Sequence, residues 1–472
     1  MGTDAAESSP TGRSGGRLRN GLALLGPGIA VAATGVGAGD MISGTVAGAQ
    51  FGTVLLWAAL YSAILKYVLN EGIARWQLAT GTTLLEGWVE RLGRPMRKYL
   101  ITYLFGWNCL LSFLIYLIGW SFLVGGGLIS ACGIAGHTMF PALSVNAWAI
   151  LHSLAGAALV LWGRYSAFEG AMKVLIGIMF VSILGSACLL LPDLPAVVRG
   201  LAVPSMPAGS TKSILSVIGG VGGSLTILCY GYWIREAGRK GPGWLRGTRF
   251  DLGAAYAFTG LFGISVIILS AQVHPEAAKG AGIMLGLADR MEAALGPAGR
   301  WALYLGFWGA VASSLLGVWQ GVPYMFADFV TLLKRLRDEE RSAHIPRYYR
   351  VILFIVAFPS MLLLSLLERV SDEVRIGSVR TDSRYYRLFL LFLTFPPMLL
   401  LAFEKPVTVV LAYAVVGALF MPVLAGTLLY MNTRRAWVGD LRSGWIINLL
   451  LVLALLVFYY LGRSGVVEGV GG

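Results

Sequence analysis

The sequence predicts an all-α integral membrane protein: a bundle of about eleven or twelve membrane-spanning helices, two of them broken near mid-span. Three observations carry that prediction. Of 472 residues, 57% are hydrophobic and 13% charged, against roughly 25% charged in soluble proteins. Apolar runs of about twenty residues, each long enough to cross a bilayer, recur along almost the whole chain. Two of these runs are interrupted by glycine-rich segments, Gly35-Val36-Gly37-Ala38-Gly39 and Gly219-Gly220-Val221-Gly222-Gly223-Ser224. Non-helical backbone at membrane depth is tolerated only where protein buries it or where it lines a cavity. Corresponding interruptions in two halves of a chain point to an inverted-repeat transporter with its site at the midplane.

Residues 1–20 are polar and rich in Gly and Ser and read as a cytoplasmic tail, with no apolar stretch of a cleaved signal directly after the start. A first five-helix repeat is expected over 21–193. Its broken first span (21–50) resumes at Asp40, and a second span (53–80) carries Lys66, Glu71 and Arg75. Glu71 and Arg75 stand four apart and share a helix face, the spacing of an internal ion pair. A third span (99–127) is aromatic-rich and free of acids. The fourth (145–163) and fifth (167–192) join at a turn around Gly163-Arg164-Tyr165, and Glu169 and Lys173 repeat the four-residue spacing. Pro-rich 192–209 reads as an external connector.

A second repeat is expected over 210–431. It opens with the broken sixth span (213–236) and continues through a seventh (251–272) and an eighth (300–333) that holds Gln320, Pro323 and Asp328. RYYRVILFIVAFPSMLLL (347–364) and RYYRLFLLFLTFPPMLLL (384–401) are near copies, a duplicated helix segment. If both copies span, the basic stretch 432–442 falls outside; the charge bias favours one copy not crossing. Spans at 407–430 and 444–462 follow, the latter within an extra C-terminal helix and tail, 444–472.

The net charge of +13 resides in short loops, notably 88–98, 235–249 and 334–350. That is the positive-inside pattern, which sets orientation and gives no reason to expect nucleic acid. It places the N-terminus in the cytoplasm, and a bacterial inner membrane is the expected location. Cys109, Cys132, Cys188 and Cys229 lie in or beside apolar stretches without metal-finger spacing. The four His (137, 152, 274, 344) are scattered, no phosphate-loop GK[ST] follows either break, and no Ser/His/Asp or HExxH constellation occurs, so an enzyme is not expected.

The stretch GPG, an interruption, then AGAQFG resembles the first helix of the Nramp family of divalent-metal transporters, and Ala74-Arg75 and Thr80-Gly81 fall in that family's AR…TG pattern. The resemblance is specific over the first eighty residues and extends over the first eight helices. It implies a LeuT-like fold, a 5+5 inverted repeat with unwound first and sixth helices and a metal site between them. The departures are at the site itself. Where the family has Asp-Pro-Gly-Asn, this chain has Gly37-Ala38-Gly39-Asp40; the family's metal-binding Met aligns with Ile227 and its His with Cys229. The third helix lacks the family's proton-route acids. The resemblance is therefore to a divergent, Nramp-related branch.

An acid at membrane depth is a functional hypothesis by default, which puts Asp40 at the centre. Oxygens near Thr34 and Gly37 and the hydroxyl and carbonyl of Ser224 complete the expected metal set, with Thr226, Cys229, Gln320 and Asp328 as pathway candidates. Without a thioether the set is one of hard oxygens, which favours Mg²⁺ or Mn²⁺ as cargo over a strictly soft metal. The expected function is transport of a divalent cation by alternating access. The cation is the substrate and the bilayer the other partner; no cofactor is expected. No chain of acids or His links site to cytoplasm, which speaks against proton coupling. One carboxylate is thin for a dication, so three alternatives stay open: a cationic organic solute, a monovalent ion, or a non-transporting sensor or scaffold such as the Nramp-like domain of plant ethylene signalling. Asp40 has a structural alternative too, as N-cap of the second half-helix.

Overall fold

Glycine breaks and apolar runs produce the expected all-helical bundle. The computed structural model describes residues 26–93, 100–162, 165–189, 193–223, 225–271, 282–342, 383–403 and 405–470. Among these, ten stretches are long and apolar enough to cross a membrane. The first, Gly39–Thr80, joins the second half of the broken helix to the helix after it, because backbone turns continue across Gly52–Leu55.

The first span consists of α1 (Pro27–Gly35), a wide π turn (Gly39–Ser43) and α2 (Gly44–Phe51). Next come α3 (Leu56–Thr80), α4 (Leu100–Met139), α5 (Val145–Trp162) and α6 (Tyr165–Leu189). α3 stops at Gly81, whose φ of 73° is the left-handed cap that glycine adopts without penalty. α4 continues well beyond the expected end at 127. The Pro-rich connector contains a helix, α7 (Leu194–Ala202): Asp193 accepts the Ala196 N–H and a proline sits in the first turn, two start signals that outweigh the loop-like composition.

The sixth span is split into α8 (Thr211–Gly220) and α9 (Cys229–Glu236). After it run α10 (Leu245–Ser270), α11 (Gly282–Leu295), α12 (Pro297–Ser342), α13 (Arg384–Thr394), α14 (Pro406–Asn432) and α15 (Trp445–Val470). α13 is the second copy of the duplicated segment. It ends where Pro396 and Pro397 turn the backbone into a 3₁₀ run, Pro396–Phe403, as consecutive prolines cannot continue an α-helix. It packs on α12 through stacked Phe326 and Phe389 and the Tyr386 hydroxyl donating to Gln320 O at 2.9 Å. The first copy, 347–364, lies outside the described residues, as do residues 1–20 and the turn residues Gly163 and Arg164.

Both halves of the broken spans are buried at the centre. α3 and α10 pack on each other, α1 lies against α10 and α12, and α8 lies against α14 and the π turn. Outer helices carry their large apolar side chains outward, Val174, Val181 and Leu456 among them, the pattern that a hydrocarbon solvent selects. The charged exceptions are paired. Glu71, fully buried, accepts from Arg75 and, at 2.8 Å, from Arg249; Arg75 also donates to Leu441 O and Arg442 O, tying α3 to the segment before α15. The exposed Glu169–Lys173 pair closes at 2.8 Å.

Candidate functional site

The two breaks lie directly against each other. α1 ends at Val36, whose ψ of 109° leaves the helical region, and α8 ends at Val221, followed by Gly222 and Gly223, both at φ +80°. A Cβ on Gly35 would stand 2.8 Å from the Gly222 carbonyl carbon, and one on Gly39 would stand 2.9 Å from Gly220 Cα. Only glycines allow two broken backbones to approach this closely.

Asp40 joins them. Its Oδ2 accepts the Gly37 N–H at 3.0 Å and its Oδ1 accepts the Gly222 N–H at 3.2 Å, with the side chain wholly buried. It therefore does not cap its own half-helix; it reaches back three residues in one span and across to the other. One turn on, the Ser43 and Ser216 hydroxyls meet at 2.5 Å, and the Tyr413 hydroxyl of α14 stands beside Gly39.

α3 supplies a component that the expected ligand set left out. Ser62, Lys66 and Asn70 are spaced four apart and make one stripe of the helix. Ser62 Oγ lies 2.9 Å from Ile218 O and 2.8 Å from Val221 O. The Lys66 ammonium donates to Gly219 O at 3.1 Å and makes a second, closer bond to Val221 O. Asn70 donates to the Tyr256 hydroxyl. Lys66 is wholly buried. A lysine at mid-span was the legible signal, since an intramembrane cation is as notable as an intramembrane acid.

The other expected residues separate into groups. The Thr34 carbonyl accepts from Ser314 Oγ at 2.9 Å, while Thr34 Oγ1 is buried with no hydrogen-bond partner among the described residues. The Gly37 carbonyl is occupied within the chain, accepting the Met41 N–H at 3.0 Å. Ser224 lies outside the described residues. Thr226 is buried beside Gly223 and Cys229 packs against Gly321 of α12. Gln320 Oε1 accepts the Trp233 indole N–H at 2.7 Å, and Asp328 Oδ2 accepts from Thr83 Oγ1 and the Tyr232 hydroxyl, each at 2.8 Å. These last two tie α12 to α9 and to the turn after α3, and neither hydrogen-bonds to a break. Among the described residues no three His, Cys, Asp or Glu side chains come together. Among the described residues, the groups a cation could use at the breaks are one carboxylate, a threonine hydroxyl and the carbonyls of the sixth span.

At the end of the bundle that carries loop 235–249, a buried latch holds α1. Asp251 of α10 accepts the Gly28 N–H at 3.0 Å, Arg239 at 2.9 Å and the Tyr230 hydroxyl at 3.2 Å. The first half of the broken helix is thereby anchored at its N-terminus.

The same architecture occurs in known transporters. Residues 28–468 match the family described as natural resistance-associated macrophage protein-like, or Nramp. The chain belongs to the Nramp family. Two mutant forms of a manganese transporter from Eremococcus coleocola superpose with a TM-score of 0.63 at 15% identity, covering 96% of this chain and 88% and 87% of the other. The same transporter in complex with an aromatic bis-isothiourea substituted compound gives 0.61 at 16% identity over 96% and 87%. No curated protein matches the sequence. At this identity the likeness bears on the fold, which is the LeuT-like arrangement of Nramp proteins with unwound first and sixth helices. Membership makes the protein an integral membrane transporter rather than an enzyme.

Proposed function

We propose that this Nramp protein carries a divalent cation across the membrane by alternating access, with Asp40 as the charged ligand. The observation that carries the reading is that one buried carboxylate binds both breaks at once, through Gly37 and Gly222. A cation drawn to that carboxylate would act on both repeats, 21–193 and 210–431, together. Manganese transport by the structural neighbours and the family membership support the cation as cargo.

Thr34 Oγ1, with no hydrogen-bond partner among the described residues, is the second oxygen ligand, and Ser224 the third. Carboxylate, hydroxyl and carbonyl oxygens suit hard ions that keep part of their water, which favours Mg²⁺ or Mn²⁺. Ile227 stands where the family resemblance expects a thioether, so a strictly soft metal lacks its ligand. With Asp328 held by Thr83 and Tyr232, no relay of acids leads from Asp40 among the described residues, and transport without obligatory proton coupling is the simpler mechanism. The basic loops orient the N-terminus and loop 235–249 towards the cytoplasm of a bacterial inner membrane.

The test is uptake of Mg²⁺, Mn²⁺ and Ca²⁺ into proteoliposomes by wild type and Asp40→Ala. Uptake by wild type that is lost in the variant supports the reading and ranks the ions. A folded wild type that moves none of them overturns it and transfers attention to organic or monovalent cations, or to a sensor.

A further inference from the structure

The sixth-span carbonyls that a cargo cation would use already hold a cation, one belonging to the protein. Lys66 Nζ bonds to Gly219 O in the last turn of α8 and to Val221 O at the start of the break, and its side chain runs along Gly222, where a Cβ would stand 3.2 Å from Lys66 Cδ. The same Gly222 gives its N–H to Asp40. Asp40 and Lys66 therefore both hold one short loop, carboxylate on the amide and ammonium on the carbonyls. Lys66 does not belong to the nearby ion-pair network, because Glu71, five residues on, is held by Arg75 and Arg249. Burial of an ammonium is costly unless its protons are met, and among the described residues they are met by the carbonyls of the site.

We propose that Lys66 is a tethered cation that fills the site between cargoes, and that a divalent cation loads by displacing its ammonium from Gly219 and Val221. The inference rests on the divalent-cation reading and adds two consequences. Cargo competes with a cation at very high effective concentration, so affinity is low and the site suits an abundant ion such as Mg²⁺. The empty site is electrically balanced, Asp40 against Lys66, so the empty carrier returns without cargo and net uptake does not require exchange.

The experiment measures Mg²⁺ and Mn²⁺ binding by calorimetry on purified protein, then net uptake and isotope exchange in proteoliposomes, for wild type, Lys66→Met, Lys66→Gln and Lys66→Arg. The two neutral variants are expected to bind about tenfold tighter or more, equivalent to removing roughly 1.4 kcal/mol of competition. They should also lose net uptake into empty vesicles while keeping exchange in preloaded ones. Lys66→Arg, which keeps a tethered charge, should bind the divalent cation no tighter than wild type. A strut whose loss merely loosened the fold would depress binding, uptake and exchange together, and that result, or failure of both neutral variants to fold, overturns the proposal. The divalent-cation reading fails separately, as a folded wild type without uptake. In that event, divalent binding gained in Lys66→Met would still establish the tethered cation, and no binding in either protein would overturn both.

Discussion

Replacing Asp251 by Asn isolates the charge of the latch that holds α1. The amide has the size of the carboxylate and an oxygen that still accepts the Gly28 N–H, but it removes the negative charge 2.9 Å from Arg239, which is 5% exposed. Breaking a buried pair by removing one charge costs about 3–5 kcal/mol. Opening of the bundle at this end lets Arg239 regain water, so most of that cost falls on the closed conformation. The closed-to-open ratio should therefore drop by roughly 10²–10³-fold. Cys229 reports the change. It is wholly buried at the start of α9, the segment that packs on α1. With Cys109, Cys132 and Cys188 replaced by Ser, maleimide labelling of Cys229 should be slow in the parent and rise by a factor approaching that ratio in Asp251→Asn. Labelling that stays at the parent rate in a folded variant would refute the latch as the contact that keeps this end shut.

Beyond the losses expected for Asp40→Ala and the gain in affinity expected for Lys66→Met, two further substitutions have definite outcomes. Glu71→Gln leaves the buried Arg75 beside a neutral amide, and should cost about 3–5 kcal/mol; thermal unfolding in detergent should show a clear fall in Tm, and a Tm within error of wild type would refute the Glu71–Arg75 pair as a structural tie. Gly222→Ala places a Cβ at φ +80° with Lys66 and Thr259 each 3.2 Å away, a left-handed conformation costing about 1–2 kcal/mol before any clash. Its Tm should fall and its uptake drop by more than the stability loss explains, because the loop that both Asp40 and Lys66 hold is displaced; unchanged uptake would show that the loop is not part of the pathway.

The membrane class, the broken first and sixth spans and the presence of an acid, Asp40, at the first break were all legible in local sequence. Each depends on a property carried by a few adjacent residues: apolar runs of bilayer length, glycines clustered inside them, and one acid among them. The Glu71–Arg75 pair was legible for the same reason, as its spacing lies within one helix. The helix in 192–209 was hidden by composition, although its Asp193 cap and early proline were present as signals. The duplicated segment shows the opposite limit: the repeat is plain in the sequence, and the topology of its first copy lies outside the described residues.

What the sequence by itself determined is which groups are placed at membrane depth, since hydropathy and helix period act locally. What only the tertiary structure decided is which of them meet. Asp40 and Gly222 are 182 residues apart, and Lys66 reaches Gly219 across 153; no local pattern encodes either contact. Breaking a helix frees its carbonyls in the sequence, but the partner that takes them depends on which helix packs alongside. Here α3 brings Ser62 and Lys66 to the sixth-span carbonyls, and Gly37, expected to offer its carbonyl, gives its N–H to Asp40 instead. The physical reason is that a buried polar backbone must be satisfied by whatever lies within hydrogen-bond reach, and reach is set by packing.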